Sequence, residues 1–90
     1  MKIILLEKEF EFLSTECELF KSNINSKIKT TRYDNSSKVK IEFSEEVFLD
    51  LLDWLEYNLD TRGFDINYEL NSKGVILESI MDKFIDSDQN

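Results

Sequence analysis

The apolar residues of this chain change their period twice, and that change constrains the fold more than any other feature. Leu6, Phe10, Leu13, Cys17 and Phe20 recur in steps of four and three, the spacing of one helix face. Val39, Ile41 and Phe43 then alternate strictly with Lys38, Lys40 and Glu42, the spacing of a strand with one buried side. Helical spacing returns in Phe48, Leu51, Leu52, Leu55 and Leu59, with Val47 and Trp54 flanking the stripe. It appears again in Ile76, Leu77, Ile80, Met81 and Phe84.

The remaining segments fit between these. Lys2 to Leu6 is an Ile-rich run that reads as a buried strand. Lys27 to Tyr33 is rich in Ile, Thr and Tyr, and Asp34 to Ser37 is a polar turn signal. The second and third strands therefore read as a β-hairpin. The chain has no Pro and only Gly63 and Gly74, so turns must come from Asn, Asp and Ser. Ser44 precedes Glu45 and Glu46 as a helix N-cap, and Asn71 or Ser72 caps the last helix. Gly63 stands where a C-terminal cap is expected, with Phe64 packing back. Phe64 to Leu70 reads as an extended connector in preference to a strand, because Asn67, Asp65 and Glu69 are poor strand formers.

These readings predict an α+β fold: a small, mainly antiparallel three-stranded sheet with three helices, in the order β-α-β-β-α-α. Ninety residues allow one domain, assigned to residues 1–85, with 86–90 as a flexible acidic tail. The expected core is Phe10, Leu13, Phe20, Ile41, Phe43, Phe48, Leu51, Leu52, Leu55, Ile76, Ile80 and Phe84. The stretch Ile3 to Leu13 echoes Ile41 to Leu51 as strand followed by acidic helix start.

Several chemistries are excluded or left without support. There is no histidine, which removes every imidazole-based triad and ordinary His zinc sites. Cys17 is alone and falls on an apolar stripe, where a buried small hydrophobe is expected. Asp65, Asn67 and Glu69 imitate the start of a calcium loop. Leu70 then stands where that loop requires Gly, and Ile76 where it requires Glu. No glycine-rich phosphate loop is present. The reading is of a non-enzymatic protein with no cofactor and no metal. The longest apolar run is Ile3 to Leu6, too short to span a membrane, so a cytoplasmic protein is expected.

Charge is what remains, and it is segregated. Lys21 to Lys40 holds six basic residues against Asp34; the rest holds five basic and eighteen acidic residues, within a net charge of −8. Two candidate surfaces follow. The first is the acidic side of the long helix: Glu46, Asp50, Asp53, Glu56 and Asp60, with Trp54 and Tyr57 as aromatic contacts. The second is the basic hairpin, Lys27, Lys29, Arg32, Lys38 and Lys40, whose lysines also suffice as guards of an edge strand. Net charge favours the first, with a basic protein as partner, in particular a nucleic-acid-binding enzyme. Direct nucleic-acid binding by the hairpin is the less favoured alternative, and segregated charge also permits self-association. The profile is similar to that of small acidic proteins of phages and mobile elements that block a nucleic-acid-handling enzyme of the host, as many anti-CRISPR proteins do. This is a likeness of size and charge and fixes no residues. It implies an inhibitor or adaptor; an immunity protein for a nuclease toxin is the alternative with the same acidic face.

Overall fold

A computed structural model describes residues 1–33, 36–62 and 70–88, with Asp88 described by its backbone alone. The elements are β1 (Lys2–Leu6), α1 (Glu7–Glu16), α2 (Glu18–Asn23), β2 (Lys29–Arg32), β3 (Lys38–Glu42), α3 (Glu45–Arg62) and α4 (Ser72–Asp88). The sheet is antiparallel in the order β1-β3-β2, so the strictly alternating strand is the central one. Ile3 lies opposite Ile41, and Thr30 lies opposite Ile41 from the other side. Ile3, Leu5, Val39 and Ile41 are buried under the helices. The two strands of the sequence echo are thus direct neighbours.

The expected first helix is two helices. Cys17 is extended between them (φ −108°, ψ 103°), with neither Gly nor Pro at the break. An unbroken helix would separate Phe10 and Phe20 by about 15 Å of rise. The break brings their rings edge to face, 5.5 Å apart, and leaves Leu13, Cys17 and Phe20 fully buried. The turn after α2 is closed by the Asn23 carbonyl, which accepts the N–H groups of Ser26, Lys27 and Ile28. Asn25 takes a positive φ of 68° there, a conformation Asn tolerates better than most residues. Ile28 is thereby buried ahead of β2, and Lys27 lies outside the strand.

Ser44 caps α3 as expected, its hydroxyl accepting the Val47 N–H at 3.3 Å. Asn71 caps α4 by accepting the Gly74 N–H at 2.8 Å, and its side-chain amide donates to the Arg62 carbonyl at 3.0 Å. One amide thus serves the end of α3 and the start of α4. Gly63, Phe64 and the connector through Glu69 lie outside the described residues, as do Asp34 and Asn35 of the hairpin turn. Phe43, Phe48 and Phe84 stack with centroids 5.5 to 6.4 Å apart, joining the end of β3 to α3 and α4. Ten of the twelve expected core residues are buried; Leu52 and Ile76 sit at the margin, and Val47 and Leu77 are buried beside them. α4 runs on to Asp88, into the stretch expected as a tail.

β1 is an edge strand whose edge is covered at both ends. Met1 and Phe43 exchange both backbone hydrogen bonds, so by antiparallel alternation Lys2, Ile4 and Leu6 turn their backbone groups away from the sheet. The Lys2 carbonyl accepts the Ser87 hydroxyl, and the Leu6 N–H is taken by Glu9. Covering the ends of an apolar edge shortens the stretch open to stray strand pairing.

Candidate functional site

The exposed side of α3 is the most strongly charged surface among the described residues. At about 100° per residue, Glu45, Glu46, Leu49, Asp50, Asp53, Glu56, Tyr57, Asp60 and Thr61 fall within an arc of roughly 160°, and every one of them is exposed. The opposite side carries Val47, Phe48, Leu51, Leu55 and Asn58, all buried. Burial of that stripe fixes the rotation of the helix and hence the direction of the acids. Trp54 sits at the boundary, half-buried against the core. It therefore frames the acidic face, while Tyr57 stands within it, 67% exposed.

Among the described residues, no cation pairs with Glu45, Glu46, Asp50, Asp53, Glu56 or Asp60. The basic residues at that end of the molecule are turned elsewhere: Arg62 and Lys73 both reach Glu16, at 3.6 and 3.2 Å. Neighbouring acids at helical spacing repel by about 0.2–0.5 kcal/mol per pair. Four such pairs run along the helix, 46–50, 50–53, 53–56 and 56–60, so α3 carries about 1–2 kcal/mol of self-repulsion.

Leu49 was not singled out by the sequence. It is 52% exposed, lies between the acids, and gives the face an apolar patch together with Tyr57. Its absence from the apolar stripe of the long helix is the signal that marks it.

Of the five basic residues of the hairpin, Lys29, Lys38 and Lys40 share the outer side of the sheet, and Lys27 and Arg32 do not. Lys29 lies opposite Glu42, and Thr31 opposite Lys40, on the outer side of the sheet. Arg32 lies opposite Val39 on the core side, where its guanidinium sits 5.0 Å from the Phe10 ring centroid and pairs with Glu7. Glu42 stands among the outer lysines and bonds Lys40 at 3.2 Å. That bond outweighs the opposing effect of desolvation and, with the charges of Lys40, Lys2 and Lys29, holds the Glu42 carboxyl below its usual range.

Compared with known proteins, the chain matches no family model, no curated protein and no solved structure. Its surfaces must be read from their own chemistry. Among the described residues, no His, Cys, Asp and Glu side chains cluster as a metal site, and no helix is long and apolar enough to cross a membrane. Asp65, Asn67 and Glu69 lie outside the described residues. Cys17 is buried and its thiol is pushed up by desolvation, which disfavours the thiolate that nucleophilic chemistry uses.

One acid departs from the expected pattern. Glu9 reads as solvated beside Glu7 and Glu11, yet it is fully buried. It accepts the Leu6 N–H at 2.7 Å, the Ser79 hydroxyl at 2.6 Å and the Lys83 ammonium. Burial alone would raise its pKa; the Lys83, Ser79 and Leu6 hydrogen bonds overcome that and hold the carboxyl below its ordinary value. With every donor directed at one carboxylate, the cluster is a clamp between α1 and α4.

Proposed function

We propose that this chain is a non-enzymatic acidic inhibitor or adaptor that binds a basic protein, in particular a nucleic-acid-handling enzyme, through the exposed face of α3. The observation that carries the reading is the unpaired acidic arc with Leu49 and Tyr57 inside it. From Glu45 to Asp60 the helix rises about 22 Å, so six carboxylates stand at roughly one per 4 Å, close to the 3.4 Å spacing of phosphates along one DNA strand. A groove built for phosphates meets a comparable line of negative charge, and the two apolar side chains add contact that a phosphate backbone lacks. The self-repulsion retained by α3 supports the same reading, since the fold itself gains nothing from it.

The test is capture of partners from host lysate on immobilised protein, with nuclease treatment, at low and then moderate salt. A basic nucleic-acid enzyme recovered without nucleic acid is expected. It should be lost as salt shortens the screening length from about 10 Å at 0.1 M toward 3 Å at 1 M. Asp50→Asn with Asp53→Asn should abolish capture, and Lys29→Gln with Lys38→Gln should leave it intact. Recovery of nucleic acid in place of protein, or capture indifferent to the acidic substitutions, would refute the proposal. A nuclease toxin recovered as the partner would make the same face that of an immunity protein.

A further inference from the structure

Among the described residues, no helix covers one face of the sheet. Its inner residues Ile3, Leu5, Val39 and Ile41 are buried by helices, while the residues between them point the other way. In register, that outer face reads Lys2–Glu42–Lys29 in one row, Ile4–Lys40–Thr31 in the next, and Leu6–Lys38 in the third. Four lysines and one carboxylate share this face with Ile4, which is 48% exposed, and Lys83 and Asp86 of α4 lie beside it at the edge of the sheet. The exposed face of α3 has the same construction with the sign reversed, acids surrounding Leu49 and Tyr57.

We propose that the open sheet face receives the acidic face of α3 from a second copy of this chain, in a head-to-tail contact. The spacings agree. Carboxylates three and four residues apart on a helix stand about 5–6 Å apart at Cβ. Lysines two apart on a strand stand about 6.8 Å apart, and those on adjacent strands about 5 Å. Apolar centres meet as well, Ile4 against Leu49 and Tyr57. Contact between like faces sets acid against acid or lysine against lysine, so only contact between unlike faces is attractive. A nucleic-acid strand fits this face less well, because Glu42 stands between Lys2 and Lys29 and, among the described residues, Tyr33 is the one ring in alternation with this face for a base to stack on.

The face is three strands wide and about five residues long, roughly 10–15 Å by 17 Å, smaller than permanent interfaces need. The contact is therefore weak and concentration-dependent, and because it is head-to-tail it propagates into short chains or a ring. It does not rest on the proposed function, since its test uses the chain alone.

Sedimentation from about 10 μM to about 1 mM, at low salt and at about 0.5 M salt, should show reversible association in low salt only. Lys29→Gln/Lys38→Gln spoils the sheet face and Asp50→Asn/Asp53→Asn the helix face; each should weaken self-association about tenfold. An equimolar mixture of the two variants should recover association but stop at a pair, since each retains one working face. A wild-type monomer throughout, self-association undiminished in either variant, or a mixture that stays monomeric would overturn the proposal. So would binding of a single-stranded oligonucleotide that is lost in Lys29→Gln/Lys38→Gln while the wild type remains monomeric.

Discussion

Replacing Glu9 by Ala removes the acceptor shared by three donors. The Leu6 N–H and the Ser79 hydroxyl then face no partner, and a buried unsatisfied donor costs about 1–3 kcal/mol. Lys83 is about one-third exposed at its side chain, so its ammonium turns to water and escapes the full penalty of a broken buried pair. The sum is about 2–6 kcal/mol, against roughly 5–13 kcal/mol expected for ninety residues. Glu9→Gln keeps an acceptor for the Leu6 N–H and an amide for Ser79, losing mainly the charge, and should cost about 1–2 kcal/mol. The two variants also differ from wild type in pH dependence. The folded-state pKa of Glu9 lies below its ordinary value, so the unfolded chain takes up the proton first as pH falls. The stability that Glu9 supplies is complete above the usual glutamate range and is lost as pH drops through that range and below. Urea unfolding followed by circular dichroism at about pH 7 and about pH 3 should therefore show the gap between wild type and Glu9→Gln narrowing in acid. A gap of constant size, or Glu9→Ala within about 0.5 kcal/mol of wild type, would refute the clamp.

Asp53→Asn removes repulsion toward both Asp50 and Glu56 and should raise stability by about 0.4–1 kcal/mol, a Tm increase of a few degrees; a fall in Tm would mean that the carboxylate has a stabilising partner within the fold. Asn71→Ala should cost about 1 kcal/mol or somewhat more through loss of the cap and of the bond to Arg62, with Asn71→Asp milder because it keeps the cap acceptor; equal losses in urea melts would assign the effect to the Arg62 bond alone. Cys17 should react with a thiol reagent only through opening of the fold, so its labelling rate should rise with urea in step with unfolding; fast labelling in native buffer would contradict its burial.

The parts of the fold that the sequence displays are those fixed by local rules. β3 alternates strictly because it is flanked on both sides and buried on one face, and Ser44 and Asn71 are caps by chemistry that acts within three residues. The break at Cys17 is invisible because no helix-breaking residue marks it, and the contact it permits, between Phe10 and Phe20, is tertiary. Glu9 resembles its acidic neighbours until Ser79 and Lys83 arrive from the other end of the chain. Its place three residues after Leu6, where a carboxylate reaches back to the helix start, is the local hint. For the acidic face, periodicity sufficed to group the acids, whereas the position of Trp54 at the margin and of Arg32 on the core side depended on how neighbouring elements pack.

The Glu9 clamp also orders events during synthesis. Its partners Ser79 and Lys83 lie 70 and 74 residues further along the chain, and the Ser87 hydroxyl that covers Lys2 lies 85 residues from it. A ribosome that has released only the first strand, its helices and the hairpin has produced a polypeptide with a carboxylate awaiting burial and an apolar edge still uncovered. Such a fragment lacks the partners that satisfy both. α4 supplies the closing contacts, and until it is in place the chain exposes the kind of surface and strand edge that favours aggregation.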